Sequence, residues 1–96
     1  PPGLDIDVLA RTVHVDNRPV DLTPTEFALL SALATRPDAA WSRADIIASV
    51  WGSPWFGDQH IVDVHVRALR RKLGDDATDP RFIRTVRGVG YSLRSS

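Results

Sequence analysis

The 96-residue sequence predicts an α+β domain, and three observations carry that prediction. Short alternating apolar and polar segments open the chain, and a Gly-containing alternating stretch closes it. Between them lie three segments with helix-start signals and buried-face periodicity.

Pro1-Pro2-Gly3 has neither helix nor strand propensity and looks like a linker remnant, so we expect the chain to be preceded by something else. Residues 4–22 form the expected N-terminal antiparallel sheet, with strands over 4–8, 12–15 and 18–22 and Asp16-Asn17 as a turn. Residues 23–74 make a three-helix core. Thr23-Pro24-Thr25-Glu26 is a capping box with proline where its missing N–H is harmless. The helix it starts should bury Phe27, Leu30, Leu33 and Ala34 and end near Arg36-Pro37, because proline disfavours helical geometry in the residue before it. Ser42 caps a second helix carrying Ile46, Ile47, Val50 and Trp51, stopped by Gly52 and Pro54. Asp58 caps the third helix, residues 59–73, and Gly74 is its stop. Residues 82–93 alternate around a reversal at residues 87–90 and read as a hairpin. Helices two and three, joined by a long loop, form a helix-turn-helix.

Length fits one domain of residues 1–96, able to bury roughly 60 to 65 % of its unfolded surface. With no cysteine there is neither a disulfide framework nor a thiolate metal site, which is compatible with a reducing cytoplasm. No run approaches a membrane span and no signal segment opens the chain, so we expect a soluble, cytoplasmic segment without membrane contact. Net charge is zero but polarised. Residues 1–59 carry four Arg against seven Asp and one Glu, a balance of −4, and residues 60–96 carry eight Lys or Arg against four Asp, a balance of +4. One face can therefore attract phosphates while the other stays free of them.

The third helix has two faces. Val62, Val66, Leu69 and Leu73 share a narrow stripe at about 100° per residue and form its core side. Opposite lie His60, Val64, Arg67 and Arg71, flanked by Asp63, Ala68 and Arg70. A guanidinium fork suits guanine O6 and N7 or a phosphate, and the helix suits a DNA major groove. The bland alternative is a solvated face with ion pairs, Asp63 to Arg67 among them. Val64 has no core to enter from that face, so it is either an incidental exposed valine or a residue resting on a thymine methyl.

Helix plus terminal hairpin resembles the winged-helix effector domain of the OmpR/PhoB family of bacterial response regulators. The resemblance runs through residues 22–30 (LTPTEFALL), Ser42-Arg43, Val50-Trp51-Gly52, residues 62–66 (VDVHV), residues 69–73 (LRRKL) and residues 85–91 (TVRGVGY). It covers nearly the whole chain, in the right order. It implies a winged helix-turn-helix that binds double-stranded DNA sequence-specifically, with helix 59–73 in the major groove and Arg87, at the hairpin tip, in the minor groove. Base contacts are then expected from Val64, Arg67, Arg71 and Arg87. Phosphate contacts are expected from Arg43, Trp51, His60, His65, Arg70, Thr85 and Tyr91, while core packing stays an equal reading for Trp51 and Tyr91. Two positions depart from the family pattern. Ala68 stands where a base-reading arginine is frequent, so we expect Arg67 or Arg71 to replace that contact. His60 also stands where arginine is common, making a phosphate contact there weaker and pH-dependent, since imidazole changes charge near neutral pH.

The resemblance also implies a receiver domain phosphorylated on aspartate through a phosphorelay from a sensor histidine kinase, and a second copy of the protein on a repeated half-site. Trp55 and Phe56, neighbouring aromatics in the loop between helices two and three, are either a lid over the core or a contact for RNA polymerase. No cofactor is expected. Enzymatic readings fail because Arg87-Gly88-Val89-Gly90 lacks the helix that a phosphate-binding loop requires. His60 and His65, five residues apart, point to different sides of the helix and make no joint metal site. Two other readings stand beside DNA binding by a response regulator: a protein-docking module on the same scaffold, and a DNA-binding domain attached to a membrane sensor or larger regulator.

Overall fold

Two small antiparallel sheets flank three helices in the computed structural model, which describes residues 2–52 and 57–95. The order is β1 (Leu4–Asp7), β2 (Thr12–Val15), β3 (Arg18–Pro19), α1 (Pro24–Ala34), β4 (Trp41–Ser42), α2 (Arg43–Val50), α3 (His60–Leu73), β5 (Ile83–Val86) and β6 (Gly90–Leu93). The first sheet runs β1-β2-β3 and the second β4-β6-β5.

In the first sheet Leu4 faces Val15 and Ile6 faces Val13, which puts Leu4 and Val13 into the core. Asp16 and Asn17 both take positive φ, 51° and 66°, the backbone of a tight two-residue hairpin turn. The third strand is shorter than residues 18–22. Pro19 has no N–H for the ladder, and after Val20 N donates to Val13 O at 2.9 Å the chain turns into α1.

The capping box forms as expected: Thr23 Oγ1 accepts from Glu26 N at 3.2 Å, and Thr23 N donates to Glu26 Oε1 at 2.9 Å. α1 is buried more widely than a single stripe, with Leu29 and Ala32 inside as well as Phe27, Leu30 and Leu33, while Ala34 is only half-buried. Neighbours on several sides explain this, since α1 packs against α2, α3 and β6. Its C-cap is Thr35, just short of Arg36-Pro37.

Trp41–Ser42 was not expected to be a strand. It pairs with β6, Trp41 opposite Tyr91 and Ser42 opposite Gly90, so the closing hairpin supplies the central strand and one edge of a three-stranded sheet. Two residues are too few to show alternation, and only the tertiary partner makes them a strand. Gly90 is needed there because a Cβ would lie 2.1 Å from Trp41 O. Ser42 also caps α2, accepting from Asp45 N at 3.0 Å.

α3 buries Val62, Val66, Leu69 and Leu73 and no other residue. Its N-cap residue is Gln59, and the Asp58 carboxylate accepts from His60 N at 2.9 Å. Gly74 ends it in the left-handed region at φ 70°, and Asp75 N closes onto Arg70 O at 2.8 Å. The Asp75 carboxylate then accepts from the amides of Arg81, Phe82 and Ile83, tying the end of α3 to the start of β5. One apolar cluster runs from Leu4 to Leu93. Among the described residues no helix is long and apolar enough to cross a membrane.

Candidate nucleic-acid interface

α3 presents His60, Val64, Arg67 and Arg71 outward, all exposed, on the side opposite its four buried residues. Val64 is 55 % exposed, as a residue rather than a packing defect of the core. Among the described residues neither Arg67 nor Arg71 makes an ion pair or side-chain hydrogen bond, so both forks are available. Between α3 and β6 lies an open groove of about 520 Å³ whose walls include Arg67, Arg70, Arg71 and Tyr91.

The Asp63–Arg67 pair of the solvated-face alternative is not formed. Asp63 instead accepts from Arg43 Nε at 2.9 Å, from the Tyr91 hydroxyl at 2.5 Å and from His60 Nδ1 at 3.1 Å. Arg43 and Tyr91 reach it from α2 and β6, and their donors replace the arginine one turn along. Burial pushes the Asp63 carboxyl up, but the Tyr91 and Arg43 hydrogen bonds and the Arg43 charge outweigh it and hold the group below the usual aspartate range. Burial, then Asp63, raise the Tyr91 phenol. Burial opposes the charge on Arg43, and Asp63 more than restores it.

The expected phosphate ligands Tyr91, Arg70 and Thr85, like Arg43 and His60, have protein partners. Tyr91 is buried and gives its hydroxyl proton to Asp63, and the guanidiniums of Arg43 and Arg70 each lie 5.4 Å from its ring centroid. Arg70 Nη2 donates to Ile83 O and to Thr85 Oγ1, both at 2.8 Å, which braces β5 against α3. Thr85 accepts in that bond and keeps its own proton to donate outward.

The histidines have assignable tautomers. His65 Nδ1 lies 2.9 Å from Ile61 O, and a carbonyl only accepts, so Nδ1 carries the proton. The same holds for His60 Nδ1 against the ionised Asp63. Each Nε2 is therefore the unprotonated nitrogen unless a second proton joins it, and only the imidazolium can donate from it to a phosphate. The His65 ring also meets Trp51 edge-on, with centroids 5.1 Å apart. Trp51 is half-buried.

At the wing tip Arg87, Gly88 and Val89 are exposed, Gly88 at φ 76° and Val89 N bonded to Val86 O at 3.0 Å. Arg43 Nη1 reaches Val89 O at 3.5 Å. Trp55 and Phe56 lie outside the described residues. Sequence reasoning missed Asp63 as the junction of three elements. The signal was there, an acid on an otherwise basic face, but it was read as a local i, i+4 partner.

Residues 17–93 match the family described as "Transcriptional regulatory protein, C terminal". The chain is 46 % identical over 91 residues to the transcriptional regulatory protein AfsQ1 of Streptomyces coelicolor, covering 95 % of this chain and 40 % of that protein. It is 44 % identical over 91 residues to PrrA of Mycobacterium tuberculosis, covering 95 % of this chain and 39 % of that protein. The chain thus spans about 40 % of the curated relatives it matches. Among solved structures, the DNA-binding domain of Klebsiella pneumoniae RstA in complex with the RstA box superposes with a TM-score of 0.88 at 35 % identity, over 96 % of this chain and 91 % of that one. The DNA-binding domain of CpxR from E. coli gives 0.81 at 32 % identity, over 97 % and 91 %. The chain belongs to the family of transcriptional regulatory protein C-terminal domains, the winged-helix DNA-binding domains of OmpR/PhoB-type response regulators.

Proposed function

We propose that this domain binds promoter DNA sequence-specifically by laying α3 in the major groove and the wing tip in the adjacent minor groove. The observation that carries the reading is the outward face of α3, where Arg67 and Arg71 stand exposed and unpaired among the described residues beside exposed Val64. Support comes from RstA, whose similar domain is seen on its DNA box. Val64, Arg67 and Arg71 read bases, and Arg87 enters the minor groove, where a narrow groove attracts arginine. Arg43, Trp51, His60, His65 and Thr85 hold phosphates, the histidines only when doubly protonated. Arg70 and Tyr91 serve that contact chiefly by placing the wing.

In-vitro selection of bound duplexes, followed by titration across salt, tests this. The logarithm of affinity should fall linearly with the logarithm of salt concentration. Arg67→Ala and Arg71→Ala should each cost about 1–3 kcal/mol and relax base preference at one position. A salt-independent affinity, or an unchanged preference in both variants, overturns the reading.

The full-length protein, on this proposal, joins the domain to a receiver domain served by a sensor histidine kinase in the cytoplasm. Two copies then occupy half-sites about 10 bp apart. Trp55 and Phe56 offer the contact to RNA polymerase. Trp55→Ala should leave affinity for the duplex intact and lower activation; full activation by that variant sinks the polymerase assignment.

A further inference from the structure

We propose that Asp63 is a positioning residue for duplex recognition, its carboxylate holding Arg43, Tyr91 and His60 so that α2, α3 and the wing meet DNA as one unit. The inference rests on the DNA-binding reading above.

Three donors from three elements converge on this one carboxylate. Arg43, the first residue of α2, gives Nε; Tyr91 of β6 gives its hydroxyl; His60, on the first turn of α3, gives Nδ1. An ionised carboxylate offers about four acceptor sites, so it can satisfy all three together. The side chain of Asp63 is 25 % exposed and Tyr91 is buried, so the junction is largely shielded from solvent while both residues line the groove beside Arg67, Arg70 and Arg71. Holding Arg43 by Nε aims the far end of its guanidinium along the surface, where Nη1 reaches Val89 O in the wing turn. The wing is thereby tied to α2 and α3 at the level of Arg87's own turn.

A carboxylate in a phosphate-facing groove also has a plain field effect. If Asp63 did nothing but carry charge, removing it would strengthen binding to the polyanion. The clasp has the opposite consequence: without the carboxylate, Arg43 and Tyr91 lose their common acceptor and the wing loses its fixed angle to α3. The sign of one measurement separates the two.

The test uses the duplex selected by the wild-type protein, with affinity read by fluorescence anisotropy. Both Arg43 and Tyr91 donate to Oδ1, an acceptor that asparagine would keep, so the variant removes the whole carboxylate. Asp63→Ala is expected to raise Kd about tenfold or more, the scale of lost hydrogen bonds to a charged group. Arg87→Ala should weaken the wild-type protein severalfold yet weaken Asp63→Ala far less, because a wing that is no longer placed cannot deliver its arginine; this non-additivity is the signature of coupling. A wild-type protein that binds no duplex overturns the DNA reading and the clasp with it. A wild-type protein that binds, with Asp63→Ala equal or tighter, overturns the clasp alone. Should Asp63→Ala lose its cooperative melt, Tyr91→Phe takes its place, removing one hydroxyl from a ring that stays buried. It should weaken binding severalfold and shrink the Arg87 effect. Wild-type affinity with a full Arg87 effect in Tyr91→Phe also overturns the clasp.

Discussion

At the scale of single residues, two glycines of the wing are required for different physical reasons. Gly88 has nothing within 4 Å of where a Cβ would stand, but its φ of +76° lies in the left-handed region. Gly90 has no such φ; a Cβ there would meet backbone, Trp41 O at 2.1 Å, which no rotamer change relieves. Gly88→Ala should therefore cost about 1 kcal/mol of strain. Gly90→Ala should cost roughly 2–3 kcal/mol, by prising β6 from β4. Thermal or denaturant melts check the order, and the reverse order would mean that contact with Trp41 is not what demands glycine. The outward residues of α3 were legible in sequence, since a fixed angle per residue sends Val64 and Arg67 away from Val62 and Val66 in any packed helix. The partners of Asp63 were not, because Arg43 lies 20 and Tyr91 28 positions away.

Between elements, the pair Lys72–Glu26 joins the last turn of α3 to the first turn of α1 at 2.6 Å. Glu26 is 4 % exposed and serves twice, since the same Oε1 also accepts from Thr23 N in the capping box. Burial pushes its carboxyl up, but Lys72 and the Thr23 amide outweigh burial and hold it below the ordinary 4.5. A carboxyl depressed on folding contributes stability that is present above its unfolded value and is lost as pH falls through its folded value. Lys72→Ala should destabilise the protein by about 1–3 kcal/mol at neutral pH by leaving a buried acceptor short of its partner. That gap should narrow as pH drops below 4.5, when Glu26 is protonated in the unfolded chain and then in the folded one. Melting both proteins across that range is the check; a gap constant with pH would show that Lys72 acts by packing alone. The capping box itself was readable from four adjacent residues, whereas the ion pair spans 46 positions and only the approach of α1 to α3 creates it.

For the whole molecule, the −4 half of the sequence supplies the first sheet, α1, β4 and α2, and the +4 half supplies α3 and the second sheet's hairpin. The ion pairs Arg81–Asp16, Lys72–Glu26 and Arg43–Asp63 join the two. The chain by itself determined the order of the elements apart from β4, the caps of α1 and α2, the buried stripe of α3 and the residues on its outer face. All of these follow from rotation per residue and from hydrogen bonds closed within a few positions. Tertiary structure alone decided that Trp41–Ser42 is a strand, that Arg70 and Tyr91 turn their polar groups to the protein, and that Asp63 binds α2 and the wing in place of Arg67. The reason is physical: a carboxylate or a two-residue segment satisfies whichever donors packing brings within about 3 Å, and distance along the chain does not encode that proximity.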